Sequence, residues 1–181
     1  DIRNLRDLVR YKKKVVAQAS SEKNRIIKIL EDANIKLSSV LSNVDGVVGT
    51  KIINSLIEGK TDINELMRFY HGKIKTSREE FQLALEGKIT DHHRFMLQVH
   101  KDSIAEKERL IERIENQIDL ATKEYQIEID LLQSIPGVGK DSAISIISEI
   151  GVDMSKFPDE NHLSSWAGMS PGNNETGGKK K

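Results

Sequence analysis

The residues best placed for chemistry lie in a short glycine-rich turn. Residues 131–151 read LLQSIPGVGKDSAISIISEIG, with an apolar lead-in, a Pro-Gly-Val-Gly turn, a lysine and an apolar-striped helix. This is the spacing of a helix–hairpin–helix motif. Gly137 and Gly139 leave backbone N–H groups uncovered where the second helix begins, and Lys140 adds a positive charge. Such donors at a helix N-terminus suit a phosphate oxygen. The turn therefore predicts a non-sequence-specific clamp on a nucleic-acid backbone. The alternative is a tight turn between two packed helices without a ligand.

A second set of polar groups lies at the end of the chain. It comprises hydroxyls, amides, paired glycines and lysines, at Ser170 and Thr176, Asn173 and Asn174, Gly177 and Gly178, and Lys179, Lys180 and Lys181. Glycine lets a backbone approach a phosphate closely, and the three lysines balance its charge, so we expect the lysines to contact DNA. A hydroxyl here could attack phosphorus if its pKa were lowered. A flexible loop without chemistry is the alternative.

Other kinds of site are not indicated. The sequence has no HExxH, Walker, Rossmann or cysteine-pair motif. The acidic residues are dispersed along predicted helices, so we expect no metal-binding cluster. His92, His93 and His100 share a predicted helix and are interpreted as solvated side chains.

Composition favours a cytoplasmic protein made of long exposed helices. The 181 residues carry 28 basic and 28 acidic side chains, so binding to nucleic acid must come from local patches. Charged residues make up 31%, aromatic residues 4%, and cysteine is absent, which excludes disulfides and thiolate-bound zinc. No apolar run is long enough for a membrane span. Both ends read as cuts in a longer protein.

The elements that must position these residues are helical. Residues 1–33 predict one helix with an apolar stripe at Leu5, Val9, Val16, Ala19, Ile26 and Leu30. Its other face carries Arg3, Arg6, Arg10, Lys12, Lys13 and Lys14. That face is interpreted as a solvated surface, with a phosphate-facing strip as the second reading. Residues 34–88 predict four short helices that form a tip, with breaks at Gly46 and Gly49 and a capping-box spacing from Ser77 to Glu80.

A second long helix is predicted from Thr90 or Asp91 to about Ser134. Its heptad positions are Leu97, Ile104, Ile111, Ile118, Tyr125 and Leu132. Its partner is either the first helix or a second copy of the chain. After the turn, the next helix is expected to face inward with Ala143, Ile146, Ile147 and Ile150, and Trp166 to pack on the hairpin helices. The predicted fold class is all-α: an antiparallel helical or coiled-coil arm, residues 1–130, with a tip at about 34–88, then a small helix–hairpin–helix domain, residues 131–181.

Two stretches resemble one family of transposases. Residues 131–181 include, after the hairpin, FPDENHLSSWAGMSPGNNE and a Gly-Lys tail. They resemble the C-terminal transposase domain of bacterial insertion sequences of the IS-one-ten/IS-one-sixteen type. The opening IRNLRDLVRYKKKVVAQASSEKNRIIKILEDANIKLSSVLSNVDG is similar to the segment that follows the RuvC-like DEDD domain in that family. The hairpin alone is shared by many DNA-binding proteins, and the combination is more specific.

The resemblance implies a protein that cuts and rejoins DNA strands during transposition. In the family the DEDD carboxylates bind a divalent metal such as Mg²⁺, and a serine before a glycine takes part in strand attack. The matching position is Thr176, before Gly177. Implied partners are DNA, a structured guide RNA and further copies of the chain through the long helices, in bacterial cytoplasm beside the nucleoid. The acidic domain would precede Asp1, so we expect this chain to bind DNA without cutting it alone. The alternatives are a helix–hairpin–helix module of another recombination or repair protein and a coiled-coil dimerisation protein.

Overall fold

A computed structural model of the chain describes residues 1–168 and the backbone of residues 175–176 and 179–180. The described residues are almost entirely helical or in turns, which confirms the predicted all-α class. The α-helices are α1 Ile2–Asp32, α2 Leu37–Val40, α3 Val47–Ile57, α4 Ile63–Leu66, α5 Arg78–Ala84, α6 Asp91–Ala121, α7 Gln126–Gln133, α8 Lys140–Ile150 and α9 Glu160–Trp166. Short 3₁₀ helices cover Met67–Phe69, Lys123–Tyr125 and Met154–Lys156. Two dipeptide strands, β1 Glu175–Thr176 and β2 Lys179–Lys180, pair antiparallel.

The chain divides into two compact units. The larger is Arg10–Ile118, and the smaller combines Asp1–Val9 with Asp119–Lys181. The larger unit is built around a buried apolar cluster that includes Leu30, Ile52 and Phe81. The predicted short helices of residues 34–88 supply most of this cluster. They therefore form a packed core, because each short helix buries its apolar face against the others.

The first helix, α1, ends at Asp32, two residues before an asparagine with positive φ. Asn34 adopts a left-handed conformation with φ of 59°, and Ile35 N–H donates back to the Leu30 carbonyl at 2.7 Å. Asparagine tolerates this conformation, so it closes the helix as glycine often does. The predicted apolar stripe is correct except at one position. Val16 is exposed and Val15 is buried in its place.

Within the larger unit α1 and α6 run antiparallel. Polar pairs join them along their length: Asp32 with His93, Glu22 with His100, Lys23 with Glu108 and Lys12 with Glu115. The partner of the α6 stripe is therefore α1 of the same chain. The histidines at two of these positions are not solvated as predicted. His100 Nδ1 lies 2.6 Å from Glu22 Oε2, and each side chain is only 12% exposed.

Gly49 of the larger unit is required by packing. Gly49 was expected to break a turn, but it lies within α3 and is buried. A β-carbon built on Gly49 would lie 1.9 Å from the carbonyl oxygen of Val44. No side chain fits there, so glycine permits the close approach of the two backbones.

The second long helix ends earlier than predicted. α6 stops at Ala121, and the 3₁₀ helix Lys123–Tyr125 separates it from α7. Buried Thr122 lies at the break, where its hydroxyl donates to the Asp119 carbonyl at 3.2 Å and its own carbonyl accepts from Tyr125 N–H at 3.0 Å. A threonine that bonds back to its own helix competes with helical hydrogen bonding, which favours an interruption at this point.

Candidate nucleic-acid interface

The predicted turn lies between α7 and α8 in the smaller unit. Val138 N–H donates to the Ile135 carbonyl at 3.0 Å, which closes the turn around Pro136 and Gly137. Gly137 has φ of +90°, and nothing lies within 4 Å of a β-carbon built on it. The requirement for glycine at this position is therefore conformational rather than spatial.

The turn leads directly into the N-terminus of α8. Gly139 is the N-cap residue, with extended backbone, and no side chain caps the helix from that position. An α-helix leaves its first four N–H groups without partners in the helix, and these groups carry the positive end of the helix dipole. α8, eleven residues long, therefore presents an end that can accept an anion, although Asp141 in its first turn offsets part of the positive potential there.

Lys140 lies at this end but is already engaged. Its Nζ is 2.8 Å from Asp119 Oδ1, and both side chains are 57% exposed. An ion pair between groups that exposed contributes little to stability, so a phosphate can compete with the carboxylate for the lysine. Asp119 was not foreseen as part of this site because it is 21 residues away in the sequence.

α8 packs through a face slightly different from the predicted one. Ala143 and Ile147 are buried as expected, while Ile144 and Ser148 are buried where Ile146 and Ile150 were expected. Ile146 and Ile150 are only partly covered. The buried Ser148 keeps its hydroxyl satisfied by donating to the Ser145 carbonyl at 2.8 Å, so a polar side chain is tolerated in this face.

Arg6 anchors the other end of α8. Its Nε donates to the Ser148 carbonyl at 2.9 Å and its terminal nitrogen to the Glu149 carbonyl at 3.0 Å. These carbonyls belong to the last turn of the helix, where no helical donor is available and a positive charge is favourable. Sequence reasoning placed Arg6 on a solvated or phosphate-facing strip, and no local signal distinguishes it from its neighbours.

The basic face of α1 does not form one free strip. Arg6 is occupied at α8, and Lys12 Nζ lies 2.8 Å from Glu115 Oε1. Arg3, Lys13 and Lys14 are exposed. At least two of the charges that suggested a phosphate-facing surface, Arg6 and Lys12, therefore make contacts within the fold.

The polar groups at the end of the chain are only partly described. Thr176 in β1 pairs with Lys179 in β2, and Lys180 pairs with Glu175. Ser170 and Lys181 lie outside the described residues. Trp166 does not pack on the hairpin helices as expected. It is 55% exposed and meets Phe157 edge to face, with ring centroids 6.0 Å apart.

In the described part of the chain, no group of three or more histidine, aspartate or glutamate side chains is placed to hold a metal ion. Over the same residues, no helix has both the length and the apolar character needed to cross a bilayer.

Comparison with known proteins identifies the segment that contains the turn. Residues 129–181 match the model of the transposase IS116/IS110/IS902 family. The matched segment begins within α7 and includes the turn, α8 and α9. Neither the curated proteins nor the solved structures provide a match to the chain. From residue 129 onward the chain is therefore similar to the IS116/IS110/IS902 family of transposases, which confirms the resemblance drawn from its motifs.

Proposed function

We propose that this chain is the DNA-binding and assembly portion of a transposase and holds the DNA backbone at the turn before α8. The observation that carries the proposal is the uncapped N-terminus of α8, reached through Gly137 and Gly139 and flanked by the exposed Lys140. Backbone N–H groups and a lysine contact phosphate oxygens without reading bases. The clamp would fix the position of the DNA and leave sequence recognition to other groups.

The electrostatics of the chain support a modest affinity. Its basic and acidic residues are equal in number, so no global field draws DNA towards it. Binding therefore depends on the few charges at the turn, with Lys179, Lys180 and Lys181 as further proposed contacts. Because each neutralised phosphate releases counterions, the affinity should depend measurably on salt even where it is weak.

We further propose that Thr176 supplies the hydroxyl for strand attack. The family resemblance supports this role, since Thr176 precedes Gly177 as the family's serine precedes a glycine. Its hydroxyl would need activation by neighbouring groups, because an alcohol is a weak nucleophile at neutral pH. The Mg²⁺ expected for the reaction would be held by the family's DEDD carboxylates, and its chemistry is to polarise the phosphate and stabilise the developing charge. Strand cleavage by this purified chain with magnesium, abolished by Thr176→Ala, would contradict the expectation that it is inactive alone.

Further partners remain predictions. Assembly of several copies through α1 and α6 has to use the surfaces that these helices leave free, because one side of each helix already lies against the other. A structured guide RNA and a location beside the bacterial nucleoid rest on the family resemblance alone.

The test of DNA binding compares two lysines of the smaller unit. Fluorescence anisotropy with labelled duplex DNA is measured over a range of salt concentrations for Lys140→Glu and for Lys156→Glu. Both variants change the net charge equally, but Lys156 is exposed beyond the far end of α8. We expect Lys140→Glu to weaken binding about tenfold and to reduce the slope of log K against log salt by about one. Equal losses from both variants, or none from Lys140→Glu, would remove the turn from the interface.

A further inference from the structure

The outer face of α7 carries a row of exposed apolar side chains. Ile127, Leu131 and Ile135 are 82%, 69% and 51% exposed. They follow one another at steps of four, so they lie along one side of the helix and into the turn. We call these three residues the α7 outer stripe.

The opposite side of α7 is already packed. Ile129 is 1% exposed and faces the core of the smaller unit. α7 is thus apolar on two sides, one covered and one open. Single exposed apolar residues are common on proteins, but a contiguous row marks an interaction surface.

Acidic groups border the stripe. At 100° per residue, Asp130 lies about 60° to one side of Ile127, and Glu128 about 60° beyond Leu131 on the other. α7 contains no basic residue, and the exposed Lys123 lies in the 3₁₀ helix that precedes it. The Gln126 amide donates to Asp130 Oδ1 at 2.7 Å, an interaction that leaves the negative charge of Asp130 in place.

The charges of Glu128 and Asp130 indicate which kind of molecule binds the α7 outer stripe. Nucleic acid is repelled by the acidic borders, and the same face of a second copy would set acidic borders against acidic borders. We propose that the α7 outer stripe docks an amphipathic α-helix of a partner protein, with apolar residues at steps of three and four and lysine or arginine along both edges. The partner would seat its apolar residues on Ile127 and Leu131 and pair its basic residues with Glu128 and Asp130.

The experiment uses a fluorescein-labelled helical peptide with leucines at i, i+4 and i+7 and lysines on both edges of that row. Two controls have the same length: one carries glutamate in place of lysine, and one has the same residues in scrambled order. Binding by anisotropy is compared for the wild type, Ile127→Ser/Leu131→Ser and Val47→Ser/Leu83→Ser. The last pair removes apolar side chains of similar exposure, 73% and 63%, from the larger unit.

We expect the lysine peptide to bind the wild type and the control variant alike, and Ile127→Ser/Leu131→Ser at least tenfold more weakly. The glutamate and scrambled peptides should also bind at least tenfold more weakly. Absence of binding, equal binding of the scrambled peptide, or an unchanged Kd in the stripe variant would overturn the proposal. So would a dimer in sedimentation velocity that the stripe variant dissociates, because a second copy would then occupy the face. If the double variant loses its circular dichroism signal, Ile127→Lys tests the same surface and is expected to abolish binding.

Discussion

Replacing Arg6 with methionine is expected to loosen the carboxyl end of α8. Methionine keeps much of the aliphatic length of arginine but cannot donate, so the carbonyls of Ser148 and Glu149 lose their charged partner. The Ile147 carbonyl keeps its bond from Gly151 N–H at 2.8 Å. The change therefore removes the anchor of the last turn without removing the end of the helix itself.

The magnitude follows from the two hydrogen bonds. Hydrogen bonds to a charged group contribute about 1.5–3 kcal/mol each when fully buried. The Arg6 side chain is 34% exposed, so water replaces part of what is lost. We expect the free energy of unfolding to fall by about 2 kcal/mol in total, and the Tm by about 4–8 °C.

Two assays distinguish a structural from a DNA-contacting Arg6. Urea denaturation followed by circular dichroism measures stability, and hydrogen exchange shows whether the amides of 144–150 lose protection. Arg3→Met is the matched control, since Arg3 is exposed on the same helix, and it should change stability by less than about 0.5 kcal/mol. In DNA titrations Arg6→Met should leave the salt slope unchanged. A loss of stability no greater than that of Arg3→Met, or a slope reduced by about one, would refute the anchoring role.

Three further predictions concern other contacts. Asp119→Asn should tighten DNA binding about two- to fivefold by anisotropy, because it frees Lys140 from an exposed carboxylate that competes with phosphate; weaker binding would contradict this. The hydrogen bond with His100 lowers the pKa of Glu22 below the usual 4.5. The ionised Glu22 therefore stabilises the fold fully above about pH 4.5, and this stabilisation is lost as the pH falls through the lowered pKa. Glu22→Gln should therefore be less stable than the wild type in urea denaturation at neutral pH, and the difference should vanish in acid as the folded carboxylate takes up its proton. Gly49→Ala should lower stability by about 1–3 kcal/mol in the same assay because its methyl group overlaps a backbone carbonyl, whereas Gly72→Ala, in open space, should not.

Sequence motifs predicted the structure correctly where the interactions involved are between residues close together in the chain. The predicted capping box is present, since the Ser77 hydroxyl accepts from Glu80 N–H and the Glu80 carboxylate accepts from Ser77 N–H. The predicted turn also falls between the observed helices, because Pro136 has no N–H to donate and Gly137 adopts a φ of 90° that other residues rarely take. Such signals need no knowledge of the rest of the fold.

The errors arose where a distant contact decides the outcome. The sequence around Thr122 contains no proline or glycine, so a continuous helix was the reasonable prediction. The break depends on how a buried hydroxyl is satisfied. Arg6 likewise differs from Arg3 only in that the end of α8 lies next to it, 142 residues later in the chain. Charge and periodicity predict on which face of a helix a residue lies, but they do not predict which other element packs against that face.

The two ends of α8 differ in how their partial charges are neutralised. Its C-terminus is neutralised within the protein by Arg6, whereas its N-terminus at Gly139 is left without a side-chain cap. Because the carbonyl end is satisfied internally, the proposed DNA complex would use the positive end, where an anion pairs with the helix dipole against the partial opposition of Asp141. In that complex Lys140 and Asp119 would set how strongly the end attracts phosphate. We therefore expect Arg6 and Asp119 to affect DNA binding in opposite directions, Arg6 by holding the helix in place and Asp119 by competing for its lysine.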